Sequence, residues 1–150
     1  MWRAGPRDAD AVAELMIAFR DWWGRDDPPD DRFHTGVARL LDDPDTEFLL
    51  AGDGEPVGVC QLRYRYGIWR DGEDCCLEDL YVRDAERGTG AGRALAEAAI
   101  TRARERGCVR MVLDVVEDNA PPRTLYESLG FASGGGPGSR SLFMKLALDD

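Results

Sequence analysis

Apolar residues at Val12, Leu15, Met16, Phe19 and Trp22 or Trp23 recur at the i, i+3, i+4, i+7 spacing of an amphipathic helix, which Asp8 or Asp10 could cap. The polar, proline-bearing run 24–31 (GRDDPPDD) breaks that pattern, and Phe33, Val37, Leu40 and Leu41 outline a second helix. Residues 46–51 and 56–66 read as a hairpin around Gly52-Asp53-Gly54, with Val57 and Val59 alternating against Gly58 and Cys60. Residues 75–82 form another strand. From 91 to 106 the period becomes helical, with Leu95, Ala99 and Ala103 on one face and Gly107 at the end. The run 109–116 (VRMVLDVV) is apolar on both faces, which predicts a central strand covered on both sides.

Pro121 and Pro122 suit the first turn of a short helix carrying Leu125, Tyr126 and Leu129, closed by Gly130. The glycine run 134–136 with Gly138 reads as a loop, and the stretches from Phe131 and over 141–148 supply the last strands. The order is roughly β-α-α-β-β-β-α-β-α-β-β. That is an α/β fold of the α+β kind, a mixed sheet flanked by helices rather than a doubly wound repeat.

The 150 residues fit one domain, 1–150, whose folding would bury about two-thirds of the chain's surface. No run approaches the ~20 apolar residues of a membrane span, and the N-terminus lacks a signal-peptide core. The four cysteines (Cys60, Cys75, Cys76, Cys108) contain no C-x-x-C pair, so reduced thiols in a cytoplasmic protein are the expectation. Nineteen basic residues face 29 acidic ones, a net charge of −10. Residues 1–50 carry −6, 51–100 carry −4, and the last third is neutral. Nucleic acid and anionic membrane both need a positive field, so neither is an expected partner. A cationic partner would meet the N-terminal half, although solubility alone also accounts for the acid excess.

Chemistry concentrates between Leu77 and Phe131. The strand LEDLYV runs through RDAE into Arg87-Gly88-Thr89-Gly90-Ala91-Gly92-Arg93, which opens a helix. Glycines let the backbone approach a bulky anion, and the first N–H groups of a helix are free to bind phosphate oxygens. A P-loop would need Lys where Arg93 stands, and its spacing fails. A dinucleotide fold would need G-x-G-x-x-G directly after a strand. Here the spacing is G-x-G-x-G and antiparallel hairpins precede it, with Asp114 alone keeping that reading open.

Arg87-x-x-Gly90-x-Gly92 resembles the [RQ]-x-x-G-x-[GA] loop of the GNAT superfamily of acyl-CoA-dependent N-acetyltransferases. Asn119, then Leu125-Tyr126, then Gly130-Phe131 resemble that family's N-x-x-A-x-x-L-Y-x-x-x-G-F, with Pro122 standing where Ala is frequent. The two motifs lie in the family's order and spacing over about 55 residues. The resemblance implies a GNAT-like fold and acetyl-CoA as cosubstrate. It implies that Arg87, Gly88, Thr89, Gly90, Ala91, Gly92 and Arg93 hold the pyrophosphate. Leu80, Tyr81 and Val82 would offer backbone groups to the pantetheine arm, and Asn119 would hydrogen-bond the cofactor. Tyr126 would protonate the leaving thiolate, which a phenol can do without being ionised, unless it is only a core aromatic beside Leu125 and Leu129.

The attacking amine must be neutral, so a base or water chain must take its proton. On a regular strand Glu78 and Asp79 face opposite sides, so at most one reaches the cleft. The strand LEDLYV also resembles its counterpart in spermidine/spermine acetyltransferases, where the acid in Glu78's place lies near the amine. Glu78 is therefore the candidate base or amine-orienting charge, against a solvated strand-end carboxylate. Asp114 is either a buried acceptor or part of the acceptor site, and His34 is expected at the surface. The thiols lack a partnered histidine, which disfavours a cysteine nucleophile, and no ligand cluster suggests a metal. The expected reaction is direct attack of a primary amine on the thioester, with the oxyanion held by a backbone N–H near Val82. In this family Asp26, Asp27, Asp30 and Asp31 would flank the acceptor mouth, favouring a small cationic amine. A protein or peptide amine, a non-catalytic acyl-CoA sensor and a nucleotide-binding regulator stay open as alternatives, and a homodimer is compatible with the sequence.

Overall fold

The computed structural model describes residues 1–116, 118–133, 138 and 142–149. They divide into two compact units, Met1–Asp114 and Val115–Asp150. In the first unit β1 (Trp2–Arg3), α1 (Ala9–Trp22), α2 (Asp30–Leu41), β2 (Thr46–Asp53), β3 (Glu55–Gly67), β4 (Gly72–Val82), α3 (Ala91–Glu105) and β5 (Arg110–Val112) follow one another. The strands lie in the order β1-β2-β3-β4-β5, antiparallel except for the parallel pair β4–β5.

Helices cover both faces of this sheet. Val12, Ala13 and Leu15 of α1 and Val37 of α2 pack on Phe48, Leu50, Val59 and Tyr81, every one buried. On the opposite face α3 lays Leu95, Ala96, Ala99 and Ala103 against the sheet. A Cβ on Gly58 would lie 3.0 Å from Leu95 Cδ1, a measure of how closely α3 rides on β3 there. The helix–hairpin–strand–helix order expected from the apolar spacing is the observed one. Asp8 differs in detail: its carboxylate accepts from the Gly5 N–H at 2.9 Å and makes no capping bond to α1.

Two expectations fail. The run 109–116 is not the central strand: β5 covers only Arg110–Val112 and pairs with Asp74–Cys76 alone, while Val115 and Val116 are exposed. An apolar run cannot by itself distinguish a central strand from an edge. The strands covered on both faces are β2, buried from Thr46 through Ala51, and β3, buried from Gly58 through Leu62; the polar Thr46 and Glu47 hid the first. Nor do the described residues of 131–133 and 142–149 form strands; Leu142, Phe143, Met144, Leu146 and Leu148 are exposed. A strand needs a ladder partner for its N–H and C=O groups, and none is present for these among the described residues. The glycines 134–136 and Ser141 lie outside the described residues. The second unit holds α4 (Ala120–Ser128), with Pro121 and Pro122 in its first turn as expected. Among the described residues no helix is long and apolar enough to cross a membrane.

Glu47 is buried beneath α3 and is held by three partners. Arg102 grips both its oxygens at 2.8–3.1 Å, Arg3 donates at 2.7 Å, and the Tyr64 hydroxyl donates to it. Burial pushes the Glu47 carboxyl up, but the bonds from Arg102 and Tyr64 with the Arg102 and Arg3 charges outweigh it, leaving a net lowered pKa. A depressed carboxylate stabilises the fold above its unfolded pKa and loses that contribution as pH falls through the folded value. Glu47→Gln is therefore expected to cost about 2 kcal/mol at pH 7, the range of bonds to charged groups. Denaturant titrations should show the gap between the two proteins closing as pH falls below the ordinary carboxylate range and through the lowered folded pKa of Glu47. A gap constant from pH 7 to 3 would show that shape, not charge, holds this contact.

Candidate active site

After Val82 the chain makes one 3₁₀ turn, Asp84–Glu86, and enters the glycine loop. Gly88 (φ 81°) and Gly90 (φ 88°) take left-handed conformations that side chains strain, and Gly90 is the N-cap of α3. The backbone N–H groups of Gly88, Thr89, Gly90, Ala91 and Gly92 donate to no acceptor among the described residues. Thr89 turns its hydroxyl back onto the Glu86 carbonyl, and Arg93 pairs with Glu97 at 2.9 Å. A Cβ on Gly92 would meet Leu80 and Val82 at 3.8 Å, so the loop sits directly on the end of β4. Unpaired N–H groups at a helix N-terminus are the donor set that an anion such as a diphosphate requires.

The adjoining strand is open along one edge. β5 pairs with β4 only at Asp74–Cys76, so Leu77 through Val82 have no partner on that side among the described residues. The Arg83 N–H donates to Val57 at 2.9 Å, so by alternation Val82 and Leu80 direct their N–H and C=O groups to the open edge. Tyr81 points its own backbone at β3 and gives its ring to the α1 side.

A bulge interrupts β4 at the acids. Gln61 opposes Asp79 and Leu62 opposes Leu77, so Glu78 is the extra residue. Strict alternation therefore fails here, and the expectation that the two carboxylates are forced to opposite faces is corrected. Asp79 shares its face with Gln61 and Tyr81, the α1 side; Glu78 is exposed, with the Cys76 thiol 3.5 Å from its carboxylate. Burial, and to a lesser degree the Glu78 charge, together push the Asp79 carboxyl up to about 6. A carboxylate titrating near neutrality can accept a proton in turnover, and that makes Asp79 the group the strand pattern missed. The signal that could have found it is the bulge, invisible in a one-strand pattern.

Arg87 leaves the glycine loop and lies against α1. Its Nε donates to the Val82 carbonyl at 3.1 Å and its Nη1 pairs with Asp84 at 3.2 Å. The guanidinium sits over the Trp22 ring at 4.6 Å and 5.7 Å from the Tyr81 ring. Phe19 stacks on Tyr81 at 5.2 Å and on Trp23 at 5.4 Å, tying the end of α1 to β4.

In the second unit Asn119 is the N-cap of α4 but makes no side-chain capping bond. Tyr126 is buried with its ring edge-on to Phe131 at 5.9 Å, and Gly130 (φ 101°) makes the turn that brings Phe131 back. Asp114 is exposed and lies outside any strand, so it is no buried acceptor. His34 is exposed, 3.4 Å from Asp10. Asp26, Asp27, Asp30 and Asp31 are all exposed; Asp30 is taken up by Arg20 at 2.8 Å and Asp27 lies 3.9 Å from Arg25. All four cysteines are free thiols, and burial pushes Cys75 up to about 12 and Cys76 to about 11, which keeps them protonated and poorly nucleophilic. Among the described residues no cluster of His, Cys, Asp or Glu is arranged to hold a metal ion.

A mixed five-stranded sheet whose fourth strand leads into a glycine-rich helix start is an arrangement of the acyltransferase kind. The acetyltransferase (GNAT) family model matches residues 9–131, and the chain belongs to that family of acetyltransferase enzymes. It is 31% identical to an aminoglycoside N(6')-acetyltransferase from Stenotrophomonas maltophilia over 86% of this chain and 83% of that one. With a thialysine N-epsilon-acetyltransferase from Bos taurus it shares 33% identity over 55% of its own length, spanning about half (51%) of that relative. A solved structure from Arthrobacter sp. FB24, assigned as an acetyltransferase, superposes with a TM-score of 0.88 at 32% identity, over 98% of this chain and 94% of that one. The mixed sheet flanked by helices is thus the fold that the sequence implied.

The electrostatics of the bulge give a direct test. Carboxyl carbon NMR should find Asp79 titrating near pH 6, against about 4 for an ordinary aspartate. Glu78→Gln should lower that midpoint without restoring it to 4, because burial is the larger cause. A wild-type midpoint at 4, or one indifferent to Glu78→Gln, would remove the coupling.

Proposed function

We propose that the chain transfers an acetyl group from acetyl-CoA to a primary amine of a small, cationic acceptor by direct attack on the thioester. The observation that carries this reading is the row of unpaired N–H groups from Gly88 to Gly92, placed at the open end of β4. Those donors fit a diphosphate, and Arg87 and Arg93 flank the loop in sequence, although the Arg87 guanidinium here lies against Trp22. Leu80, and Val82 through its N–H, turn backbone groups to the open edge where an extended amide-bearing arm can add as a strand, while the Val82 carbonyl accepts from Arg87. Acetyl-CoA supplies the activated acyl thioester.

The chain's own residues supply the proton traffic. Asp79, with Glu78 beside it in the bulge, is the candidate to take the amine's proton, directly or through water. The backbone N–H of Val82, on the open edge, is the candidate donor to the oxygen that gains charge. The resemblance of Asn119, Tyr126 and Phe131 to the family motif supports reading Asn119 as a cofactor-binding residue and Tyr126 as the acid that protonates the leaving thiolate. Family membership across 9–131 supports reading 1–150 as one N-acetyltransferase domain, and four free thiols fit a cytoplasmic location. The acceptor class rests on the N-terminal acid excess, and the names of the two relatives point to thialysine and aminoglycoside nitrogens for those proteins.

Calorimetry tests the donor. Acetyl-CoA should bind where NAD and ATP do not, and Gly90→Ala, which strains the left-handed N-cap, should weaken binding about tenfold in a folded protein. An unchanged affinity would remove the loop from the site. Tyr126→Phe keeps the ring and loses only the hydroxyl. The expected result is a fall in kcat of about 10²–10⁴-fold with acetyl-CoA affinity retained. A variant with near wild-type kcat and a lowered Tm would make Tyr126 a core residue instead.

A further inference from the structure

Arg87 is the first residue of the anion loop, yet its guanidinium is spent on a helix from the other side of the strand. It covers the face of Trp22 at 4.6 Å, and its remaining bonds go to the Val82 carbonyl and to exposed Asp84. Trp22 itself is 48% exposed, so the indole is not simply a core ring that Arg87 happens to edge. The acid-rich run beginning at Asp26 follows it after Trp23, Gly24 and Arg25; Arg25 lies 3.9 Å from Asp27, and among the described residues Asp26 and Asp31 have no ion pair.

We propose that the face of Trp22 is a cation site of the acceptor cleft. In the free protein Arg87 fills it, and when the donor's diphosphate draws Arg87 away it passes to an ammonium group of the acceptor. The inference rests on the donor reading above and adds a class of acceptor to it. A guanidinium binds a phosphate through parallel charge-assisted hydrogen bonds, whereas its hold on a half-exposed ring and an exposed carboxylate is weak. A diphosphate at Gly88–Gly92 therefore wins Arg87. The vacated indole keeps its negative face and the negative field of the acid-rich run, and it attracts a cation of similar character. The nitrogen that attacks must be neutral, so the nitrogen held on Trp22 is a second, non-reacting one. The acceptor is accordingly a di- or polyamine. Binding is ordered, donor before acceptor, because one side chain blocks the acceptor's place until the donor arrives.

Tetramethylammonium probes the site, since it is permanently charged and cannot be acetylated. Its binding is read from the indole N–H resonance of Trp22, assigned by Trp22→Leu, at ionic strength held constant with sodium chloride. Neopentyl alcohol serves as the neutral control. Saturating acetyl-CoA should move the Trp22 resonance and tighten tetramethylammonium binding about fivefold, a change of the size of an exposed cation–π contact. Arg87→Gln should show the tighter binding with no donor present, and Trp22→Leu should abolish it in both states. Equal affinity with and without acetyl-CoA, or no gain in Arg87→Gln, would overturn the handover. Calorimetry on the same wild-type sample separates the two claims. Acetyl-CoA that fails to bind would sink the donor reading and the handover with it, while acetyl-CoA that binds without touching Trp22 would sink the handover alone.

Discussion

A strand inside a sheet must pair its N–H and C=O groups on both edges, and β4 meets that demand on one edge along its length but on the other only as far as Cys76. From Leu77 onward it presents hydrogen-bonding groups with no strand to receive them. Everything of chemical interest in the first unit gathers at that deficit. The glycine loop begins where the strand stops, the bulge at Glu78 lies on the unpaired stretch, and Arg87 bonds the Val82 carbonyl there. The chain thus keeps a length of backbone unsatisfied, and a ligand with amide groups is the natural partner for it.

The two faces of the sheet divide the labour. On one side α3 rests its small residues on the sheet, close enough for its first turn to touch Leu80 and Val82. On the other, α1 ends in aromatic rings that stack through Phe19 onto Tyr81. The glycine loop and the aromatic end of α1 therefore come from opposite layers and meet through β4. Asp79 lies on the α1 side of that boundary, and burial there is the larger cause of its raised pKa.

Periodicity made the helices legible, because Val12, Leu15 and Phe19, or Leu95, Ala99 and Ala103, have no other way to share a face. The loop was legible because glycine at 88 and 90 answers a backbone requirement that few other residues meet. Three features were not. Apolar content misplaced the central strand, since Glu47 is buried by ion pairs that no local pattern records. The bulge that brings Asp79 into play depends on the register against β3, which is a property of two strands. The placement of Trp22 under Arg87 joins residues 65 apart in sequence, and neither looks unusual alone.

The anchoring of α3 is lopsided. Arg102 and Arg106, in its last turns, are fastened to Glu47, Glu73, Asp45 and the Pro44 carbonyl, and Arg106 also lies over Tyr64 at 3.8 Å. Its glycine end is located by close apolar packing, Gly92 against Leu80 and Val82 of β4 and Leu95 against Gly58 of β3. The helix is thus held differently at its two ends: guanidinium forks grip the root, and apolar packing seats the tip that the loop enters. Root and tip lie roughly 20 Å apart, at about 1.5 Å per residue. A change at the root therefore leaves the packing that seats the tip in place.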